Sequence, residues 1–198
     1  MTNVTRLAPH AKLDKPIGKA VGWVRRATRY LFESGWYHLR QDEVEFADRS
    51  LTYTYIDHPG AVFVVPVTPA GQIVVLRTYR YTVDEWCWEV PAGGIGDKSG
   101  ASLEEVARAE MLEESGCSGG TLEYLGWYYS ANGAANLKVH YYLARDVKFG
   151  DARAPEHAES IDEVRCLDLA EAFEWAYSGK MRDGDSVLAL LLAAKKLG

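Results

Sequence analysis

The 198-residue chain has only three cysteines, Cys87, Cys117 and Cys166, widely spaced and in no Cys-x-x-Cys or Cys/His arrangement. That scarcity excludes a disulfide scaffold and a zinc site, and the expected compartment is a reducing cytoplasm. Long apolar runs are missing too: the longest, Val187 to Ala194, falls far below the roughly 20 residues of a membrane span. The opening stretch, residues 1–16, is polar and proline-punctuated, without the apolar core of a signal peptide, and reads as a loosely held tail. The chain is therefore expected to be soluble, unexported and without a membrane partner. Nor is there a basic excess, since 22 Lys and Arg stand against 28 Asp and Glu for a formal net charge of −6. Without that footprint no nucleic acid partner is expected. An acidic protein can still hold a phosphate compound by recruiting divalent cations, which requires clustered carboxylates.

What is present is a run of strand signals, one helix, more strands and then helices. Alternating β-branched and aromatic residues at 36–46 and 51–57, joined by Ala47-Asp48-Arg49-Ser50, predict a hairpin. Apolar runs at 61–67 and 72–76 flank a Thr-Pro-Ala-Gly turn, and a short strand at 86–90 stops at Pro91. A glycine-rich loop, Pro91 to Gly100, precedes Ser102-Leu-Glu-Glu105, the spacing of a capping box. The helix it opens should run to Ser115 and stop at Gly116. Strands are expected at 122–129, 137–144 and 164–167, and helices at 169–177 and 185–196. This order predicts an α+β fold.

The helix after Ser102 breaks its own pattern. On a wheel with Leu103 at zero, Val106, Ala107 and Met111 fall at roughly −60°, 40° and 80° and define a core-facing stripe. Glu110 and Glu114 fall inside that stripe, at roughly −20° and +20°, with Glu113 on its margin at about −80°. One reading is that the helix end emerges from the core and solvates all three. The other starts from Glu113 and Glu114, which lie in the last turn, where the macrodipole disfavours each carboxylate by about 0.3–1 kcal/mol unless something positive is near. Arg108 points elsewhere, so a divalent cation shared by Glu110 and Glu114, one turn apart, is the natural candidate.

Glu89-Val-Pro-Ala-Gly-Gly94, Ser102-Leu-Glu-Glu-Val-Ala107 and Glu110-Met-Leu-Glu-Glu-Ser-Gly-Cys117 together resemble the Nudix box, G-x5-E-x7-R-E-U-x-E-E-x-G-U with U apolar. The lead-in Leu76-Arg-Thr-Tyr-Arg-Tyr81 and Trp86-x-Trp-Glu-Val-Pro-Ala-Gly93 is similar to the ADP-ribose pyrophosphatase branch. Two box residues are absent: Ala109 stands for the Arg and Ala101 for the first Glu, and seven residues instead of five separate Gly93 from Ala101. The resemblance implies a Nudix-like mixed-sheet α/β/α sandwich with an N-terminal β-hairpin extension. Residues 1–58 would form the extension, serving dimerisation and base stacking, and 59–198 the catalytic domain.

The resemblance further implies hydrolysis of a nucleoside diphosphate linked to X, ADP-ribose or a related nucleotide sugar, to a nucleoside monophosphate and a sugar phosphate. It assigns Glu110, Glu114 and the Ala92 carbonyl to Mg²⁺ or Mn²⁺, with Glu113 close by. The general base would come from a late acidic loop, Glu159 first and Glu156 second, with His157 a weaker candidate. Arg80 and Glu89 would belong to the substrate site, and Trp36 and Tyr53 would sandwich the base across a homodimer. Because Ala101 and Ala109 remove two supports, a protein that binds a nucleotide sugar without efficient turnover is the alternative.

Overall fold

The computed structural model describes residues 18–96, 98, 100–150, 153 and 160–198. The expected tail at 1–16 and the loop residues Glu156, His157 and Glu159 lie outside the described residues. The chain divides into two compact units: Met1–Gly60 with Gly94–Ser99 and Tyr129–Lys138, and Ala61–Gly93 with Gly100–Tyr128 and Val139–Gly198.

The first unit contains a three-stranded antiparallel sheet of β1 (Val24–Glu33), β2 (His38–Phe46) and β3 (Arg49–Asp57), in that order. The β2–β3 turn is two residues long and not four, since Phe46 already pairs with Arg49 and Ala47 takes the positive φ of 52° that a tight hairpin turn requires. Strand β1 had no sequence signal, because its solvent face is written in arginines: Arg26 bonds Glu45 at 2.7 Å and Arg29 bonds Gln41 at 2.9 Å. One face of β2 buries His38, Arg40, Asp42 and Val44. Arg40, 2% exposed, lies between the rings of Tyr30 and Tyr55 and bonds Asp42 through Nε at 3.0 Å, so its charge is compensated on burial. Asn136 donates to Asp57 and accepts from the His58 amide at 2.8 Å, tying the segment 130–136 to the end of β3.

The second unit is built on a mixed sheet. Its elements are β4 (Ala61–Val67), β5 (Ile73–Arg80), β6 (Glu85–Glu89), β7 (Ala92–Gly94), α1 (Leu103–Ser115), β8 (Cys117–Ser118), β9 (Thr121–Tyr129), β10 (Lys138–Arg145), β11 (Lys148–Phe149), β12 (Ile161–Leu167), α2 (Leu169–Ser178) and α3 (Gly184–Leu197). The strand order is β12-β5-β4-β10-β9, with β6 paired to β5 and β7 to β4. Strand β4 runs parallel to β10, while β5 is antiparallel to β4, β6 and β12. Every residue from Val62 to Val67 is buried, so both faces of β4 are covered, and both α1 and α3 pack against it. This is the expected α+β sandwich.

Helix α1 begins and ends where its caps dictate. Ser102 Oγ accepts from the Glu105 amide at 3.2 Å while Glu105 accepts from the Ser102 amide at 2.7 Å, and Gly116 closes the helix at φ 71°.

Candidate functional site

Val106, Ala107 and Met111 face the core as the wheel requires, and the same stripe carries Glu110 and Glu114 inward to 5% and 4% exposure. Glu113 is half-buried, on the margin. The reading in which the helix end solvates all three carboxylates therefore fails for two of them. Carboxylates buried this far need compensating polar partners.

One such partner is found on β7, which β4 holds in place. The Ala92 amide donates to Glu114 Oε2 at 2.7 Å. Beside it, a Cβ added at Gly93 would lie 2.1 Å from Glu110 Cδ, so the Glu110 carboxyl rests directly on bare glycine backbone. The preceding Pro91 carbonyl accepts from the Val64 amide at 2.9 Å, which anchors the loop to the sheet. The sequence Pro-Ala-Gly thus serves as a cradle for two carboxylates that project from one face of α1.

Arg80 and Glu89 complete this side of the sheet. Arg80 makes a bidentate contact with Glu89, Nε to Oε1 at 2.8 Å and Nη2 to Oε2 at 2.5 Å. In strand register Arg80 faces Glu85, so its side chain runs back along β6 to reach Glu89. The hydrogen bonds that Arg80 donates to Glu89 raise the Arg80 pKa, with the charges of Glu89, Glu114 and Asp183 adding to the effect. Burial pushes the Glu89 carboxyl up, and the Arg80 guanidinium opposes that shift. One half-exposed guanidinium therefore stands among three carboxylates, from β6, α1 and the start of α3.

Two buried carboxylates and a backbone carbonyl are hard oxygen donors of the kind Mg²⁺ and Mn²⁺ accept. Among the described residues no three His, Cys, Asp or Glu side chains form a metal cluster. An ion here would rest on Glu110, Glu114 and the Ala92 carbonyl and take water and phosphate at its remaining positions, as Mg²⁺ commonly does. The two buried carboxylates are the donor chemistry that such an ion takes.

Trp36 and Tyr53 belong to the first unit and lie apart within it. Trp36 is 59% exposed in the turn between β1 and β2, whereas Tyr53 pairs with Asp42 well along β2. Tyr53 lines a cavity of about 350 Å³ together with Trp23, Tyr55 and the segment 132–136, and its ring is 5.8 Å from that of Trp23. The sequence reading missed Trp23 and Tyr55. The period-two spacing of Tyr53 and Tyr55 on β3 was the available signal for the second; Trp23 had none.

The NUDIX domain matches residues 57–189, more than half of the chain. The chain is 27% identical over 135 residues to an ADP-ribose pyrophosphatase of Bacillus subtilis strain 168, covering 68% of this chain and 72% of that one. It is 27% identical over 165 residues to the methanol dehydrogenase activator of Bacillus methanolicus, covering 82% and 88%, and 28% identical over 144 residues to the GDP-mannose pyrophosphatase of Escherichia coli K12, covering 66% and 71%. Among solved structures, an ADP compounds hydrolase superposes with a TM-score of 0.73 at 19% identity, over 88% of this chain and 94% of that one, which supports the fold. With the domain match spanning both β7 and α1, which build the carboxylate cradle, this chain belongs to the Nudix hydrolase family.

Proposed function

We propose that this protein hydrolyses a nucleoside diphosphate sugar, ADP-ribose or a near relative, to a nucleoside monophosphate and a sugar phosphate in a Mg²⁺- or Mn²⁺-dependent reaction. The observation that carries the reading is the burial of Glu110 and Glu114 in the apolar stripe of α1 against the Ala92-Gly93 backbone. A folding cost of that kind is retained where it holds something. Relatives named for ADP-ribose and for GDP-mannose support the substrate class. Glu110, Glu114 and the Ala92 carbonyl hold the ion, which when bound neutralises charge on the diphosphate oxygens. Glu113 stands beside them, and Glu159 or Glu156 orients the attacking water. Arg80 and Glu89 line the phosphate side, and Tyr53 and Trp36 receive the base. Residues 1–58 act as the dimerisation and base-stacking extension of a cytoplasmic homodimer, with 59–198 as the catalytic domain.

Ala109 and Ala101 favour a second reading, in which the fold binds the nucleotide sugar without efficient turnover. Release of mononucleotide from ADP-ribose, GDP-mannose, UDP-glucose, NADH and diadenosine polyphosphates, with Mg²⁺ or Mn²⁺ and an EDTA control, separates the two. Metal-dependent turnover of a sugar-linked member supports the hydrolase. No turnover together with substrate-induced thermal stabilisation supports the binding protein.

A further inference from the structure

On β6 the side chains of Glu85, Cys87 and Glu89 alternate onto one face, with Trp86 and Trp88 on the other. That face opens on a cavity of about 380 Å³. Its inner end is the Arg80–Glu89 pair; its outer end, four residues and roughly 13 Å along the strand, is Glu85. There Arg182 Nη1 donates to Glu85 Oε2 at 2.7 Å, both side chains being about half exposed or more. Asp183, whose carboxylate caps α3 by accepting from the Ser186 amide at 2.8 Å, also lines the cavity.

The chemistry of this groove selects among the parts of a nucleotide sugar. None of its lining side chains is aromatic, so it offers a nucleobase no stacking face. Its three carboxylates, Glu85, Glu89 and Asp183, outnumber the guanidiniums of Arg80 and Arg182, each of which already holds one of them, so beyond the phosphate end the groove does not favour a further anionic group. What matches is a neutral polyol: the outer Glu85 carboxylate accepts from hydroxyls while the remaining guanidinium N–H groups of Arg182 donate to them, side by side, as vicinal hydroxyls require. Cys87, small and midway along the floor, leaves the groove open between its two ion pairs.

Building on the hydrolase reading, we propose that this groove seats the sugar half of the substrate and that Glu85 and Arg182 are its specificity-determining residues, selecting an uncharged, hydroxyl-bearing X. The test compares ADP-ribose with the β-methyl ester of ADP, which keeps the diphosphate and lacks the hydroxyls. The wild type should prefer ADP-ribose in kcat/KM by about tenfold or more, and Arg182→Met and Glu85→Gln should each erase most of that preference through KM. A preference that survives both substitutions overturns the assignment. A second arm does not depend on turnover: calorimetric titration with ribose 5-phosphate and with methyl phosphate. Tighter binding of ribose 5-phosphate to the wild type, lost in Arg182→Met, supports the groove even if no diphosphate is hydrolysed, in which case the hydrolase reading alone fails. Equal binding of the two phosphates to the wild type overturns the groove.

Discussion

Gly93→Ala tests the carboxylate cradle at its tightest point. The added methyl would stand 2.1 Å from Glu110 Cδ, 2.2 Å from Oε1 and 2.6 Å from Oε2. These atoms end a flexible side chain, so the fold can accept the methyl if the carboxyl retreats by about 1.3 Å, from 2.1 Å to the 3.4 Å where ordinary contact begins. Overpacking of this kind costs roughly 1–3 kcal/mol, and the fold should survive it. The functional effect should be much larger, since a misplacement near 1 Å in a reacting constellation is worth about 10²-fold in rate. The measurements are a thermal melt, Mn²⁺ affinity by calorimetry and metal-dependent mononucleotide release. We expect a melt lowered by a few degrees, weakened Mn²⁺ binding and about a hundredfold loss of turnover. Glu110→Asp in the same background draws the carboxyl away from the methyl and should recover part of the metal affinity. A Gly93→Ala protein that binds Mn²⁺ and turns over like its parent would refute the placement of Glu110 in the site.

Arg80→Ala strands the 2%-exposed Glu89 carboxyl. The cost should be about 2 kcal/mol in chemical denaturation, below that of a fully buried pair because the Arg80 side chain is 46% exposed. Adding Glu89→Gln should return part of the loss, whereas additive effects would show that the pair is uncoupled. Ser102→Ala should cost about 1 kcal/mol through loss of the cap, with the melt falling by about 2–4 °C. The hydrogen bond from the Ser102 amide holds Glu105 below its ordinary pKa, so its contribution is present above the unfolded value near ~4.3 and is lost as pH falls through the lower folded value. Glu105→Gln should therefore flatten the acid limb of the stability curve, and an unchanged limb would count against the box. Ala109→Arg places a guanidinium one turn from both Glu105 and Glu113 and should raise kcat if register of the helix carboxylates limits the rate. Finally, saturating Mn²⁺ at about 100 times its Kd should stabilise the wild type by roughly 2.7 kcal/mol in a melt, and Glu114→Gln should abolish that gain.

The parts of this molecule that were legible in its sequence are those governed by local physics. Ser102, Glu105 and Gly116 set the ends of α1 through contacts a few residues long, and the helical period alone carried Glu110 and Glu114 inward. Buried runs such as Val62 to Val67 announced central strands by composition. What was not legible depends on pairing at a distance. Strand β1 satisfies its arginines on acidic and amide groups of β2, 12 to 19 residues away, so its charged text gave no strand signal. Arg80 was legible as a site residue but its engagement was not, because strand register puts it opposite Glu85 while its guanidinium is taken by Glu89. Glu85 in turn is claimed by Arg182, 97 residues on. A one-dimensional reading cannot apportion two acids between two arginines.

The lost box residues take on a different weight once the charges are located. Helix α1 has no basic residue in its last turn, yet Glu113 and Glu114 sit there against the negative end of the dipole. A guanidinium at position 109 would have eased that cost from within the helix. Arg80 supplies positive charge from a neighbouring strand instead, but it is shared among Glu89, Glu114 and Asp183 and already donates two hydrogen bonds to the first. One guanidinium thus serves carboxylates on β6, on α1 and at the start of α3. A divalent cation held by Glu110 and Glu114 would place positive charge at the negative end of the α1 dipole, so metal occupancy and the stability of the end of α1 should be thermodynamically linked, and more strongly than in an Ala109→Arg variant.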